Sequence, residues 1–259
     1  MPIEQLCRVA EMTPLNDSTW WMTLEVGGLV SQQGLRAGQF LHVKCGHSHL
    51  LRRPISVALV FPDEPCDTAA LIFEVKGEGT QWLSRRKGGD QVDVLGPLGN
   101  GFAAGPGDKL LLVGGGIGAP PLLGYAAAFC QNTTAVLGFR SADRVILADR
   151  FQDYCKEVFL CTDDGSLGRH GFVDAQVADL LAKENDFTSI LACGPKPMLR
   201  SVARVAQAYG VPCQVSMEER MACGVGACLG CAVQMADGTM KHVCKDGPVF
   251  DAREVDWNV

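Results

Sequence analysis

Short apolar or alternating runs recur through the first hundred residues: WWMTLEV at 20–26, QFLHVKC at 39–45, ISVALVF at 55–61, ALIFEVKG at 70–77 and QVDVLGP at 91–97. Gly, Pro and Asp separate them, and short strands at this spacing predict a sandwich or barrel. One helix is predicted near 80–87, where TQWLSRRK follows GEG. The pattern changes near residue 108. KLLLVGGG at 109–116, TAVLGFR at 134–140, EVFLCTDD at 157–164 and SILACG at 189–194 read as buried strands. Helical segments are predicted at 120–131, 173–183 and 196–210, the last closed by Gly210. Strands alternating with helices predict a parallel α/β sheet. The last fifty residues change again, to a glycine-rich segment with four cysteines and a hairpin over 233–243 that turns at Asp237 and Gly238.

Composition narrows the function. The 259 residues carry a net charge of −6, with 47% hydrophobic and 20% charged residues. An acidic balance argues against nucleic acid, whose backbone is bound through basic patches. The N-terminal stretch MPIEQLCRVAEMTP lacks the basic and apolar regions of a signal peptide. No run approaches the ~18 apolar residues of a membrane span. A cytoplasmic protein with no membrane role is expected. Its twelve cysteines are then expected to be reduced, and some are candidates for metal binding.

Cys223, Cys228, Cys231 and Cys244 form a C-x4-C-x2-C-x12-C pattern. The first three match the plant-type [2Fe–2S] spacing with a distant fourth cysteine. Two irons need two thiolates each, and one short loop plus a returning strand can supply them. Gly224, Gly226 and Gly230 allow backbone N–H groups to turn toward the sulfurs. Structural zinc is the competing reading, but zinc favours paired C-x2-C knuckles and only one such pair is present. A colourless, zinc-stabilised nucleotide-binding regulator is the corresponding non-redox function.

The segment LLLVGGGIGAPPLL at 110–123 reads as strand, glycine turn and helix. Gly114, Gly116 and Gly118 give G-x-G-x-G rather than the dinucleotide fingerprint. The physics is similar, since close backbone approach and a helix N-terminus both suit a pyrophosphate. Cys193 and Gly194 end the fourth strand and are expected at the same sheet edge. Cys193 is either a nicotinamide contact or a buried core cysteine. NAD moves a hydride and an iron–sulfur cluster moves single electrons, so a chain with both needs a flavin between them. Arg140 and Ser141 suit a 2′-phosphate, whereas Asp143 suits a free ribose hydroxyl.

Five segments together carry a family resemblance. RRPISVA at 52–58 resembles the flavin motif of the ferredoxin–NADP reductase superfamily, and GGGIGAPPLL and CGPKPM resemble its nucleotide-domain signatures. MEERMACGVGACLGCAV at 217–233 and VCKDGPVF at 243–250 closely resemble the electron-transfer subunits of class 1B dihydroorotate dehydrogenases. The resemblance implies a multi-domain α+β chain. It consists of an N-terminal six-stranded antiparallel FAD barrel (1–104), a central parallel-sheet NAD domain (105–212) and a small C-terminal [2Fe–2S] domain (213–259).

By this resemblance Arg53, Pro54, Ile55 and Ser56 bind FAD, with Arg53 on the pyrophosphate and Ser56 near the isoalloxazine. Ile72, Phe73 and Glu74 form a second FAD segment, and Gly79 and Thr80 a third. Glu74 departs from the family, which often has a basic residue there. Gly114, Gly115, Gly116, Gly118, Cys193 and Gly194 serve NAD, and the four C-terminal cysteines hold the cluster.

The implied reaction is dihydroorotate plus NAD to orotate plus NADH, in pyrimidine biosynthesis. A TIM-barrel partner carrying FMN would oxidise dihydroorotate, in a heterotetramer with two of each chain. Electrons would reach NAD through the cluster and FAD. The alternative is the flavin subunit of an NADH-dependent ferredoxin–NADP oxidoreductase of the sulfide-dehydrogenase type. That relative has an aspartate where this chain has Cys223.

Overall fold

The computed structural model describes residues 2–46, 49–62, 66–183 and 186–258. Six strands, β1 (Ile3–Pro14), β2 (Thr19–Gly27), β3 (Phe40–Val43), β4 (Arg53–Phe61), β5 (Asp67–Glu74) and β6 (Gln91–Leu98), close an antiparallel barrel in the order β1-β2-β5-β4-β3-β6. Alternation decides which side chains enter it. Along β2, Met22, Leu24 and Val26 are buried while Thr23 and Glu25 are not, as a period of two requires. Strand β1 falls in the segment read above only as a chain terminus. Just two of its side chains, Cys7 and Val9, are buried, so its apolar signal is weak. Helix α1 (Glu78–Ser84) bridges β5 and β6, starting two residues earlier than expected.

A second sheet follows, built from β7 (Leu110–Gly115), β8 (Thr133–Phe139), β9 (Glu157–Thr162), β10 (Arg169–His170), β11 (Ser189–Cys193), β12 (Cys213–Ser216) and β15 (Val249–Asp251). The order is β10-β9-β8-β7-β11-β12-β15; β7 to β12 run parallel and β15 pairs antiparallel with β12. The sheet thus continues past residue 212 and takes in a strand from the C-terminal segment. That segment also carries the small hairpin β13 (Ala232–Gln234) and β14 (Met240–His242).

The helices are α2 (Pro120–Ala128), α3 (Ala148–Tyr154), α4 (Val173–Lys183) and α5 (Lys196–Tyr209). On α5 the buried residues Leu199, Val202, Ala203 and Ala206 follow the i, i+3, i+4, i+7 stripe of a helix packed on a sheet. No helix among the described residues is long and apolar enough to cross a membrane.

Helix α2 joins the two sheets. Leu122, Leu123, Tyr125 and Ala126 are buried in one cluster with Ala37, Ala58 and Phe102. The Tyr125 Oη lies 3.2 Å from the Ala37 carbonyl and 3.0 Å from that of Phe102. Gly124 sits at the closest approach: a Cβ there would lie 2.2 Å from Ala37 Cβ and 2.9 Å from the Ala58 carbonyl oxygen. Gly124→Ala is therefore expected to destabilise the chain by ~1–3 kcal/mol, as overpacked cores are. Denaturant unfolding checks this; an unchanged midpoint would show that the barrel–sheet contact is loose.

Candidate functional site

A cavity of about 950 Å³ opens between the barrel and the second sheet. It lies at the carboxyl ends of β7 and β11, where open α/β sheets bind ligands, and its size is at the upper end for small-molecule sites. Arg53, Pro54, Ile55, Ser56, Ile72, Phe73, Glu74, Gly79 and Thr80 line the barrel side. Gly115, Gly116, Gly118, Cys193 and Gly194 line the sheet side.

Gly114 is not on the wall. A Cβ there would lie 2.9 Å from Ala119 Cα and 3.1 Å from the Leu137 side chain, so this glycine lets strand and helix pack. Gly118 presses on the neighbouring turn, its Cβ position 2.3 Å from the Cys193 carbonyl oxygen. The glycine turn and the Cys193–Gly194 turn are therefore one surface. Burial pushes the Cys193 thiol up to about 12, against a hydrogen bond with Ser216. The Cys193 thiol is therefore neutral rather than a thiolate nucleophile.

On the barrel side, Gly79 makes room for the Arg53 guanidinium. A Cβ on Gly79 would lie 2.8 Å from Arg53 Nε. Arg53 thus lies at the N-terminus of α1, where free N–H groups and the helix dipole also favour an anion. The Thr80 hydroxyl accepts the backbone N–H groups of Lys76 (2.9 Å) and Gly77 (3.3 Å) and so fixes the turn into α1. Glu74 is offset by Lys76, whose Nζ stands 3.3 Å from its carboxylate.

Lys76 lines the cavity too, as do Met217, Glu218, Met221 and Pro248. Sequence reasoning missed all five: Lys76 lies between two recognised flavin segments but matches neither, and the other four reach the site only through the closure of the fold. Of the residues weighed for nucleotide choice, Arg140 lines the cavity, while the Ser141 hydroxyl is engaged by Asp143 at 2.5 Å.

The four C-terminal cysteines follow immediately on that wall. Cys228 is exposed and Cys223 partly so; Cys231 and Cys244 are buried. The side chains of Cys223 and Cys228 act on each other, as do those of Cys231 and Cys244, and Cys244 also feels Cys223. Among the described residues no three His, Cys, Asp or Glu side chains converge on a point able to hold a single metal ion.

Backbone N–H groups are aimed at the sulfurs. Val225, Ala227 and Cys228 donate to Cys223 Sγ at 3.5, 3.3 and 3.4 Å, and Gly226 donates to Cys244 Sγ at 3.2 Å. Burial raises the Cys223 thiol, but these donors outweigh it and bring the group down to about 6. Burial pushes Cys244 up to about 12. The loop can take this path because Gly224 (φ +73°) and Gly226 (φ +79°) adopt the left-handed region.

Residues 218–256 match the family "Iron-sulfur cluster binding domain of dihydroorotate dehydrogenase B", and residues 112–204 match "Oxidoreductase NAD-binding domain". The chain is 41% identical over 258 residues to the dihydroorotate dehydrogenase B (NAD(+)) electron transfer subunit of Bacillus caldolyticus, covering 95% of this chain and 96% of that one. It is 40% identical over 222 residues to the same subunit of Caldanaerobacter subterraneus subsp. tengcongensis, covering 84% and 86%.

Among solved structures, one described as the NADH-dependent reduced ferredoxin–NADP oxidoreductase of flavin-based electron bifurcation is similar with a TM-score of 0.86 and 33% identity. That match covers 98% of this chain and 91% of that one. The ferredoxin reductase of carbazole 1,9a-dioxygenase shares the fold, with a TM-score of 0.67 at 23% identity over 82% of this chain and 67% of that one. With its barrel, its parallel NAD-binding sheet and its C-terminal iron–sulfur region, the chain belongs to the family of electron-transfer subunits of dihydroorotate dehydrogenase B (NAD(+)).

Proposed function

We propose that this chain works in the cytoplasm as the NAD-reducing half of a dihydroorotate dehydrogenase B, with one FAD and one [2Fe–2S] cluster per chain and an FMN-carrying TIM-barrel partner, two of each in the complex. When bound, FAD and the cluster supply the exchange between single electrons and hydride. The chain's own residues supply position, exclusion of water and electrostatic tuning.

The observation that carries the reading is a shared wall. Met217, Glu218 and Met221 line the cavity, and Cys223 follows two residues after Met221. A flavin in the cavity and a cluster in the loop would thus be neighbours. Arg53, the space left by Gly79 and the start of α1 fit a pyrophosphate. Ser56 and the Ile72 side chain, on the barrel's outer face, fit the flavin's apolar body, while Phe73 packs inside the barrel. The turn from Gly115 to Gly118, leading into α2, fits the dinucleotide, with the neutral Cys193 thiol at the nicotinamide end. Two thiol pairs fit two irons with two thiolates each; a single zinc would need all four on one point.

Anaerobic purification followed by flavin, iron and sulfide analysis tests this. Equal amounts of FAD and [2Fe–2S] are expected, and zinc with no flavin would overturn the reading.

Arg53→Ala is expected to weaken FAD binding by about 10- to 100-fold, since hydrogen bonds to charged groups contribute ~1.5–3 kcal/mol. Glu74→Gln should shift it far less, because Lys76 already offsets that carboxylate. Equal losses in the two variants, measured by flavin fluorescence titration, would place the pyrophosphate elsewhere.

A second reading is the subunit role in an NADH-dependent ferredoxin–NADP oxidoreductase, favoured by the similarity to that structure. The two differ in partner, so co-purification separates them.

A further inference from the structure

His42 is a buried polar side chain in a strand of otherwise apolar residues. It sits in β3 with no solvent exposure, and neither ring nitrogen has a hydrogen-bond partner among the described residues. An unpartnered buried polar group is costly, so its surroundings show what it serves. Its cross-strand neighbour in β4 is Pro54, part of the cavity wall. Its ring meets the edge of Phe40, another cavity residue, with centroids 6.0 Å apart.

The other side of the ring faces the cysteine loop. A Cβ on Gly224 would lie 2.8 Å from His42 Nδ1. The loop therefore needs glycine here for its left-handed turn and also for the imidazole packed against it. Gly224 is bonded directly to Cys223.

We propose that His42 donates a hydrogen bond from the barrel to the sulfur shell of the [2Fe–2S] cluster at its Cys223 edge, and thereby raises the cluster's reduction potential. The inference rests on the cluster reading above. Its physical basis is that an N–H aimed at sulfur stabilises the more negative, reduced state more than the oxidised one. No change of protonation is involved, because a neutral imidazole carries one N–H donor. Burial, with Arg52 and Arg53 nearby, holds the group down to about 4, which keeps it neutral. The Arg52 guanidinium, 3.3 Å from the His42 carbonyl and 2.9 Å from Asp93, ties β3 to β6 and so fixes the ring's height over the loop. His42 is a positioning and tuning residue, since it does not touch the substrate.

The test uses the full-length chain loaded with its cofactors, and cluster content is quantified first. His42→Leu removes the donor; His42→Asn and His42→Gln retain one near Nδ1 or Nε2. In an EPR-monitored redox titration His42→Leu should lower the potential by about tenfold in the reduction equilibrium, about 59 mV for one electron. One of the two amide variants should restore most of it. An unmoved potential in His42→Leu with a full cluster, or equal shifts in all three variants, would overturn the proposal.

If His42→Leu assembles no cluster, the wild-type protein decides. Labelled with ¹⁵N-histidine and reduced, it should show a ¹⁵N hyperfine coupling that survives His242→Gln, the control for the histidine two residues from Cys244. A full cluster signal without that coupling would remove His42 alone. No [2Fe–2S] signal at all would remove the ligand assignment and this proposal with it.

Discussion

Replacing Cys228 by serine is expected to abolish the [2Fe–2S] absorption and EPR signals and to drop cluster-dependent NAD turnover to background, while FAD stays bound. The thiolate is the metal ligand, and Cys228 is one half of the outer thiol pair. A serine hydroxyl is far less acidic, so one iron would lose half its protein ligands. The fold should survive. Cys228 is exposed and lies in none of the three apolar clusters; Cys231 and Cys244 do, in the one that packs a face of the sheet and includes Phe40 and Leu98 of the barrel. FAD should remain because Arg53, Ser56 and Gly79 all belong to the barrel or its bridging helix. Cys130→Ser, at an exposed cysteine outside the loop, is the control. A Cys228→Ser protein with a full cluster signal would take Cys228 out of the ligand set.

The parts of this fold legible in sequence are those where local pattern and tertiary burial agree. Strand β7 reads as LLLVGG and is buried throughout. The pattern predicts the described span of helix α4, Val173–Lys183, since Val173, Val177 and Leu181 mark one face. Helix α3 was not foreseen: only Phe151 is buried, and the helix is entered through Leu147 in the left-handed region. The short strands Cys213–Ser216 and Val249–Asp251 gain meaning only by pairing, the first with β11 and the second with the first. The barrel motif, the glycine turn and the cysteine spacing were visible because each is a local backbone requirement. Lys76 and His42 were not. Lys76 lies between two recognised flavin segments and matches neither, and His42 stands in the run QFLHV, where nothing local distinguishes a buried ring that faces the cysteine loop from one that fills a core.

The isolated chain, loaded with both cofactors, should oxidise NADH with artificial acceptors yet show no dihydroorotate-dependent NAD reduction; adding the FMN-containing catalytic subunit from the same source should create that activity. Cys228 faces solvent, and beside it Val225 and Leu229 are 44% and 60% exposed. Apolar side chains left in water around a proposed cluster ligand suit a partner that must bring its own redox centre close, since interface cores favour apolar and desolvated contacts. Leu229→Asp offers a selective break. Leu229 already adopts a left-handed backbone, φ +60°, which aspartate tolerates better than leucine, so the loop should keep its path. A charge buried in the centre of such an interface costs ~2 kcal/mol or more, about 30-fold in affinity. Dihydroorotate-dependent NAD reduction at limiting partner should fall accordingly, with NADH oxidation by artificial acceptors unchanged. Dihydroorotate oxidation by the chain alone would sink the division of labour. Full coupling by Leu229→Asp at limiting partner would move the docking face away from the cysteine loop.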